Sequence, residues 1–198
     1  MLNGKETPMR KITGIIIHCT ATRAEWWAGK RTSEKVAEIR RWHTTPPRNW
    51  SDIGYHFLID RDGTIAKGRD LARTGAHVAG HNTGTIGVSL FGGHGSSETD
   101  DFSENFTPAQ DKALRGLIAD LRGRFGSVPV TGHNEYAAKA CPGFTVSQWL
   151  AFGPSGAKTA TVTPPSMKAV TTPAKTPQSN VWAAFVAAIL KLFGKAKA

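Results

Sequence analysis

The chain has 198 residues, of which 39% are hydrophobic and 20% charged, values typical of a water-soluble globular protein. This length suffices for one core of ordinary size plus an additional segment. The formal net charge is +10, and six of the positive charges are lysines after residue 152, a region without Arg, Asp or Glu. The basic tail would attract polyanions: nucleic acid, anionic lipid, lipopolysaccharide or wall polymers.

Targeting signals and disulfides are largely excluded. Two cysteines, Cys19 and Cys141, are too few for a disulfide framework, although the count permits one bridge. The apolar run of residues 12–19 is too short and interrupted for the core of a secretory signal. No stretch is long enough for an ordinary transmembrane helix. We expect a protein that is made in a cytosol and stays there until another agent releases it.

The first predicted element is a strand over residues 13–19, a continuous run rich in β-branched residues that indicates burial on both faces. His18 lies at its end. Successive side chains of a strand point to opposite faces. If the His18 side chain faces a site, the Cys19 side chain therefore faces the core.

Residues 20–47 are predicted to form a loop and then a helix. The loop contains Trp26 and Trp27. They either cover a substrate cleft or pack against the domain, which is the commoner role of aromatic residues. Thr32 or Ser33 would cap a helix that continues to about His43 with one apolar face.

The middle of the chain alternates strands with polar loops. Residues 52–60 predict a strand, and Asp62–Gly63 predicts a hairpin turn into residues 64–67. A glycine-rich loop over residues 75–82 precedes another predicted strand at 85–91, and residues 92–105 form a polar connection.

The third quarter contains the clearest local signals. Thr107 as N-cap, Pro108 at the first helical position and Gln110 as capping-box partner predict the start of an amphipathic helix that Gly126 ends. An apolar run at 128–131 then leads into His133, and residues 145–152 predict a closing helix.

These elements predict an α/β fold with a single mixed sheet flanked by helices, in one domain over residues 1–152. Residues 153–180 are rich in Pro, Thr and Lys and predict a flexible linker. Residues 181–198 predict a basic amphipathic helix, too short to span a bilayer and suited to an anionic membrane interface or lipopolysaccharide. The alternative is a helix that docks on the domain.

A candidate metal site combines His133 and Cys141 with His18 as a third ligand. Two His, one Cys and a water are typical of a catalytic zinc site. Lys139 would stabilise a developing oxyanion, and Tyr55 would orient or deprotonate the water or hydrogen-bond the oxyanion.

These residues also have ordinary explanations. A His at a strand end is more often a satisfied polar residue, Cys141 an inert thiol, Lys139 a surface charge and Tyr55 a core aromatic. Spacing alone does not distinguish His18 from five other candidates for the third ligand, namely His43, His56, His77, His81 and His94.

Several motifs in register resemble the zinc-dependent N-acetylmuramoyl-L-alanine amidases of the type-2 amidase and peptidoglycan-recognition superfamily, and among them the endolysins of T7-like phages. The matching stretches are Ile17–Thr22, Ile39–His43, Asp52–Phe57, Arg61–Thr64, Thr85–Val88, Asn105–Gln110, His133–Glu135 and Lys139–Pro142. They extend over about residues 12–150, and the loop with Trp26 and Trp27 is longer than in the T7-like pattern.

The resemblance implies that His18, His133 and Cys141 bind Zn²⁺, with Tyr55 and Lys139 as catalytic residues. It implies hydrolysis of the amide between N-acetylmuramic acid and L-alanine of peptidoglycan. It assigns His77 and Asn82 to the substrate cleft. Trp26 and Trp27 are further candidates for substrate binding because of their place on a polar loop.

The resemblance also sets expectations about partners. A phage endolysin would wait in the host cytoplasm and act on the cell wall after release, as a monomer. The T7-like enzymes also bind their phage RNA polymerase. The competing hypothesis is a peptidoglycan-binding or polymerase-inhibiting protein without catalysis.

Overall fold

A computed structural model describes residues 9–154 of the chain. Five strands form one sheet in the order β3-β2-β4-β1-β5. The strands are β1 (Gly14–Cys19), β2 (Phe57–Ile59), β3 (Ile65–Lys67), β4 (Thr85–Leu90) and β5 (Val130–Gly132). The helices are α1 (Thr32–Thr44), α2 (Phe102–Asn105), α3 (Pro108–Phe125) and α4 (Val146–Phe152).

The sheet is mixed, which confirms the predicted α/β class. Strand β1 is parallel to both β4 and β5, and β2 is parallel to β4. Only β3 is antiparallel, because the predicted turn at Asp62–Gly63 joins it to β2 as a hairpin. All six residues of β1 are buried, as expected for a central strand covered on both faces.

Helices cover the two faces of the sheet. Helix α3 packs on one face against β1 residues Ile15, Ile17 and Cys19, together with α2 and α4. Helix α1 packs over the other face against Leu58 of β2. The alternation of β1 therefore places Cys19 in the α3-side core, as predicted, and turns His18 to the α1 side.

Helix α3 begins as the sequence predicts. The Thr107 hydroxyl accepts a hydrogen bond from the Gln110 backbone N–H, and the Gln110 side chain accepts one from the Thr107 N–H, both at 3.1 Å. Gln110 also donates to the carbonyl oxygens of Ile59 and Phe91. The capping residue therefore ties the start of α3 to the ends of β2 and β4.

The start of α1 differs from the prediction by one residue. Arg31, not Thr32 or Ser33, is the N-cap, and its backbone N–H donates to Glu34 Oε2 at 3.0 Å. The Thr32 hydroxyl instead donates to the Asp60 carboxylate at 2.8 Å. The Thr32 hydroxyl that could have capped the helix is therefore used in a tertiary hydrogen bond to Asp60.

The predicted strand over residues 52–60 is also shorter in the structure. Only Phe57–Ile59 pair regularly, and Gly54 instead accepts the Ala76 backbone N–H of the glycine-rich loop at 3.0 Å. The predicted polar connection at 92–105 contains the short helix α2, whose Phe102 is 2% exposed.

The predicted linker and amphipathic helix lie outside the described residues, apart from Gly153 and Pro154. The domain boundaries at 152 and 180 therefore stay predictions. Within residues 9–154, no helix is long and apolar enough to cross a bilayer.

A buried ion pair fixes α1 to the sheet. Lys35 Nζ lies 2.9 Å from Asp60 Oδ1, and both side chains are nearly inaccessible. The same carboxylate accepts the Thr32 hydroxyl and the Arg61 backbone N–H. Asp60 therefore anchors the helix that forms one wall of the α1 side of the sheet.

We expect Lys35→Met to lower the free energy of unfolding by about 3 kcal/mol, because it leaves the Asp60 carboxylate buried without its counter-charge. The matched control is Lys30→Met, which removes the exposed pair with Glu34 and should change the stability much less, because solvent screens that pair. Urea denaturation of the two variants tests this, and equal effects would contradict it.

Candidate metal centre

Three candidate ligands meet at one end of β1. His18 is the fifth residue of that strand, His133 begins the single 3-10 turn after β5, and Cys141 lies in the following loop. One nitrogen or sulfur atom from each lies within 4.8 Å of the others. Within residues 9–154, no other group of His, Cys, Asp or Glu has this geometry.

The parallel strands bring the two histidines together. Ile17 of β1 is paired with Gly132 of β5, so the next residue on each strand, His18 or His133, leaves the sheet at the same level. Their ring centroids are 4.7 Å apart. At Gly132 an added Cβ would lie 2.3 Å from Asn134 Oδ1 and 3.0 Å from Pro142, so a glycine allows the Cys141 loop to return closely.

Burial keeps the histidines neutral. His18 is 1% exposed, and burial, followed by the charges of His77, His133 and Lys139, lowers its pKa well below the ordinary value. Burial and then Lys139 lower the pKa of His133. Neutral imidazole is the form that binds metals, so these rings offer lone pairs at neutral pH.

Cys141 lies against the backbone of β1. Its sulfur accepts the Cys19 N–H at 3.3 Å and lies 3.8 Å from His18 Nδ1. A hydrogen bond with the Cys19 thiol, and then burial, raise the pKa of the Cys141 thiol. A bound divalent cation would reverse this preference, since a coordinating thiol loses its proton.

Tyr55 lies beside His18 on the α1 side of the sheet. Their ring centroids are 5.2 Å apart, and His43 of α1 contacts Tyr55 edge-on at 5.4 Å. His43 also accepts the Gly54 N–H at 3.1 Å, which fixes the backbone just before Tyr55. Burial, and then the two cysteine sulfurs, raise the pKa of Tyr55, so the phenol stays protonated and is a hydrogen-bond donor.

A cleft of about 520 Å³ opens beside His133, the one candidate ligand among its lining residues. His77 and Asn82 contribute to its lining, and Lys139 and His133 lie on it as well. No Asp or Glu lines it among the described residues, and the Lys139 ammonium is exposed. The cleft is therefore suited to a substrate with anionic groups.

The two predicted tryptophans lie elsewhere. Trp26 stacks between Trp27 at 5.1 Å and Phe91 at 5.8 Å, and it also contacts Trp42 of α1. Trp27 is 39% exposed. Neither lines the 520 Å³ cleft, and their contact with substrate stays a prediction.

Sequence reasoning missed part of the cleft. Trp50 and Tyr136 both line it, and His43 supports Tyr55. Trp50 lies in an irregular segment after Pro46–Pro47, where no periodic pattern indicates which side chains face inward. His43 falls in one of the family-like motifs, which was the one available signal.

Known proteins resemble the chain over the described region. The N-acetylmuramoyl-L-alanine amidase (Amidase_2) family model matches residues 8–144. The endolysin of Escherichia phage T7 is 42% identical over 135 residues, covering 68% of this chain and 83% of that protein. The endolysin of Enterobacteria phage K11 is 39% identical over 147 residues, covering 74% and 91%.

Solved structures share the fold. The amidase LysC from Clostridium intestinale superposes with a TM-score of 0.55 at 28% identity, covering 73% of this chain and 88% of that one. The peptidoglycan-recognition protein SA of Apis mellifera has a TM-score of 0.58 at 24% identity, covering 77% and 92%. The chain therefore belongs to the N-acetylmuramoyl-L-alanine amidase family, and it is an amidase that acts on the bacterial cell wall.

Proposed function

We propose that this amidase is a phage endolysin that uses Zn²⁺ held by His18, His133 and Cys141 to hydrolyse the amide between N-acetylmuramic acid and L-alanine. The observation that supports the metal site is the approach of one ligand atom from each residue to within 4.8 Å of the others. The endolysin relatives support the biological setting.

The donor set fits zinc. Two imidazoles and one thiolate are borderline-soft ligands, and three protein ligands leave one tetrahedral position open, as in catalytic rather than structural zinc sites. Both imidazoles are neutral for the electrostatic reasons given above. Zinc bound there would polarise the scissile carbonyl and acidify a water.

Tyr55 and Lys139 would act on the substrate from different positions. The partly buried, protonated Tyr55 would donate a hydrogen bond to the carbonyl oxygen as negative charge develops on it. Its raised pKa makes it a poor base at neutral pH, which favours the orienting role over deprotonation of the water. Lys139, exposed on the cleft, would stabilise the same developing charge electrostatically.

The lining of the cleft supports the proposed substrate, and the endolysin relatives support the setting. Peptide stems of peptidoglycan carry free carboxylates, which suit a cleft without acidic lining residues. As an endolysin the enzyme would reach the cell wall from the host cytoplasm only after release. Binding to a phage RNA polymerase and a monomeric state stay predictions.

The first experiment tests the metal. We expect Cys141→Ala to lose zinc and amidase activity, because it removes one of three ligands. Cys19→Ala is the matched control: its side chain lies in the α3-side core and its thiol contacts Cys141, but it is not one of the three candidate ligands, so the variant should keep about one zinc per chain. Metal analysis and the release of new amino termini from purified wall report the two properties. Wall hydrolysis that survives complete removal of zinc would refute the proposal.

The second experiment separates chemistry from metal binding. We expect Tyr55→Phe and Lys139→Met to lower kcat by about 100- to 1000-fold, because each removes a group that stabilises transition-state charge, while zinc content is unchanged. Tyr136→Phe is the control, since Tyr136 lines the same cleft with its hydroxyl hydrogen-bonded to Thr131. Steady-state kinetics that cannot distinguish Tyr55→Phe from Tyr136→Phe would exclude the assigned role.

We also propose that the segment 181–198 binds anionic membrane. Its apolar aromatic and aliphatic residues fall at helical spacing, and Lys191, Lys195 and Lys197 supply positive charge. An endolysin that reached a membrane surface in this way would be concentrated next to the wall that it cuts.

Serine substitutions in the full chain test this. Replacing Trp182, Phe185 and Ile189 should abolish co-sedimentation with anionic liposomes, because it removes the apolar face. Replacing Ala184, Ala187 and Ala188 by serine is the matched control and should weaken binding much less. Equal binding by the two triple variants would contradict the proposal.

A further inference from the structure

A row of polar groups leads away from His18 through its second ring nitrogen. His18 Nε2 lies 3.1 Å from His77 Nδ1, and the two rings meet edge-to-face with centroids 5.0 Å apart. His77 Nε2 lies 3.5 Å from Thr85 Oγ1, which in turn lies 2.6 Å from the His81 carbonyl oxygen. The row connects a buried candidate ligand to the backbone just before β4.

The Thr85 hydroxyl has a single hydrogen, and this determines which atom donates in each hydrogen bond of the row. Its shortest contact is a carbonyl oxygen, which only accepts, so Thr85 donates there and accepts from His77 Nε2–H. A neutral imidazole has one ring hydrogen, so His77 Nδ1 is an acceptor. His18 must therefore donate from Nε2, and its Nδ1 lone pair is left 3.8 Å from Cys141 Sγ.

The His77 ring occupies a fitted space. An added Cβ would lie 2.6 Å from the ring at Gly87 and 2.5 Å from it at Gly75. Asn82 Oδ1 accepts the backbone N–H groups of His77 and Val78 at 2.7 and 2.9 Å. His77 is 8% exposed. Its position is thus set by two glycines and by one side-chain amide, independently of any bound ligand.

We infer that His77 is a positioning residue for the metal centre: it accepts the His18 Nε2–H and so holds His18 in the tautomer whose Nδ1 lone pair faces Cys141. The inference rests on the proposed zinc site, although the hydrogen bonds themselves need no metal. It gives His77 a role that acts through His18 and is separate from its place on the cleft wall. Such outer partners fix the orientation of a ligating imidazole and raise its basicity.

The matched pair His77→Leu and His77→Asn tests the inference in the full chain. The two replacement side chains have nearly the same shape, but Asn retains an acceptor close to the position of Nδ1. Competition with a chromogenic chelator should show zinc affinity reduced by about 10- to 100-fold in His77→Leu and by less than about 10-fold in His77→Asn. Wild-type affinity in His77→Leu, or an equal loss in both variants, would overturn it.

A second measurement needs no metal. Nitrogen-15 NMR of the histidine rings in the metal-free chain should show the His18 hydrogen on Nε2, with a mixture of tautomers appearing in His77→Leu. A hydrogen on Nδ1 of His18 in the unsubstituted chain would overturn the inference. Failure of that chain to bind zinc would instead refute the proposed function, and the NMR result would still decide the role of His77.

Discussion

The site depends on the parallel register of β1 with β5. Pairing of Ile17 with Gly132 places His18 beside His133 although more than a hundred residues separate them in the chain. A shift of β1 by one residue would turn its side chains to the opposite faces, so Cys19 would face the cleft and His18 the α3-side core. The buried apolar residues of β1 oppose that shift, because the side chains that now pack in the α3-side core would leave it for the opposite face of the sheet. The candidate metal ligands are therefore positioned by the same contacts that stabilise the sheet.

Burial then determines the protonation of this cluster. Desolvation favours the neutral form of the two imidazoles and of the Tyr55 phenol, and at the Cys141 thiol it adds to the hydrogen bond with Cys19. A divalent cation would change the balance at Cys141 and release its proton, so metal binding and proton release are coupled. Lys139 differs because it is exposed on the cleft. The site thus combines a desolvated cluster that suits a cation with a solvated ammonium that suits an anion.

Local signals in the sequence predicted the elements with local causes. Thr107, Pro108 and Gln110 specify the start of α3 through contacts within four residues, and the apolar run of β1 specifies a central strand. Spacing could not choose His18 among seven histidines, because the choice depends on a register between distant strands. The family resemblance indicated the ligands instead. The contact of His77 with His18 and the place of Trp50 on the cleft were beyond both sources, since they depend on how irregular loops fold back over the sheet.

His77 shows why cleft and metal centre are not independent. The family resemblance predicts that His77 lies on the substrate cleft, and in the structure its side chain lines the 520 Å³ cleft and is in hydrogen-bond contact with His18. A substrate group that displaced the His77 ring would also change the orientation of the His18 ring. Conversely, a rotation of His18 would move His77 and alter one wall of the cleft. Gly75 and Gly87 limit this movement. Because they have no side chains, the His77 ring packs directly against the backbone, which moves less easily than a side chain. Loss of activity in a His77 variant would therefore not identify its role, whereas tautomer and metal affinity distinguish a wall residue from a partner of the ligand.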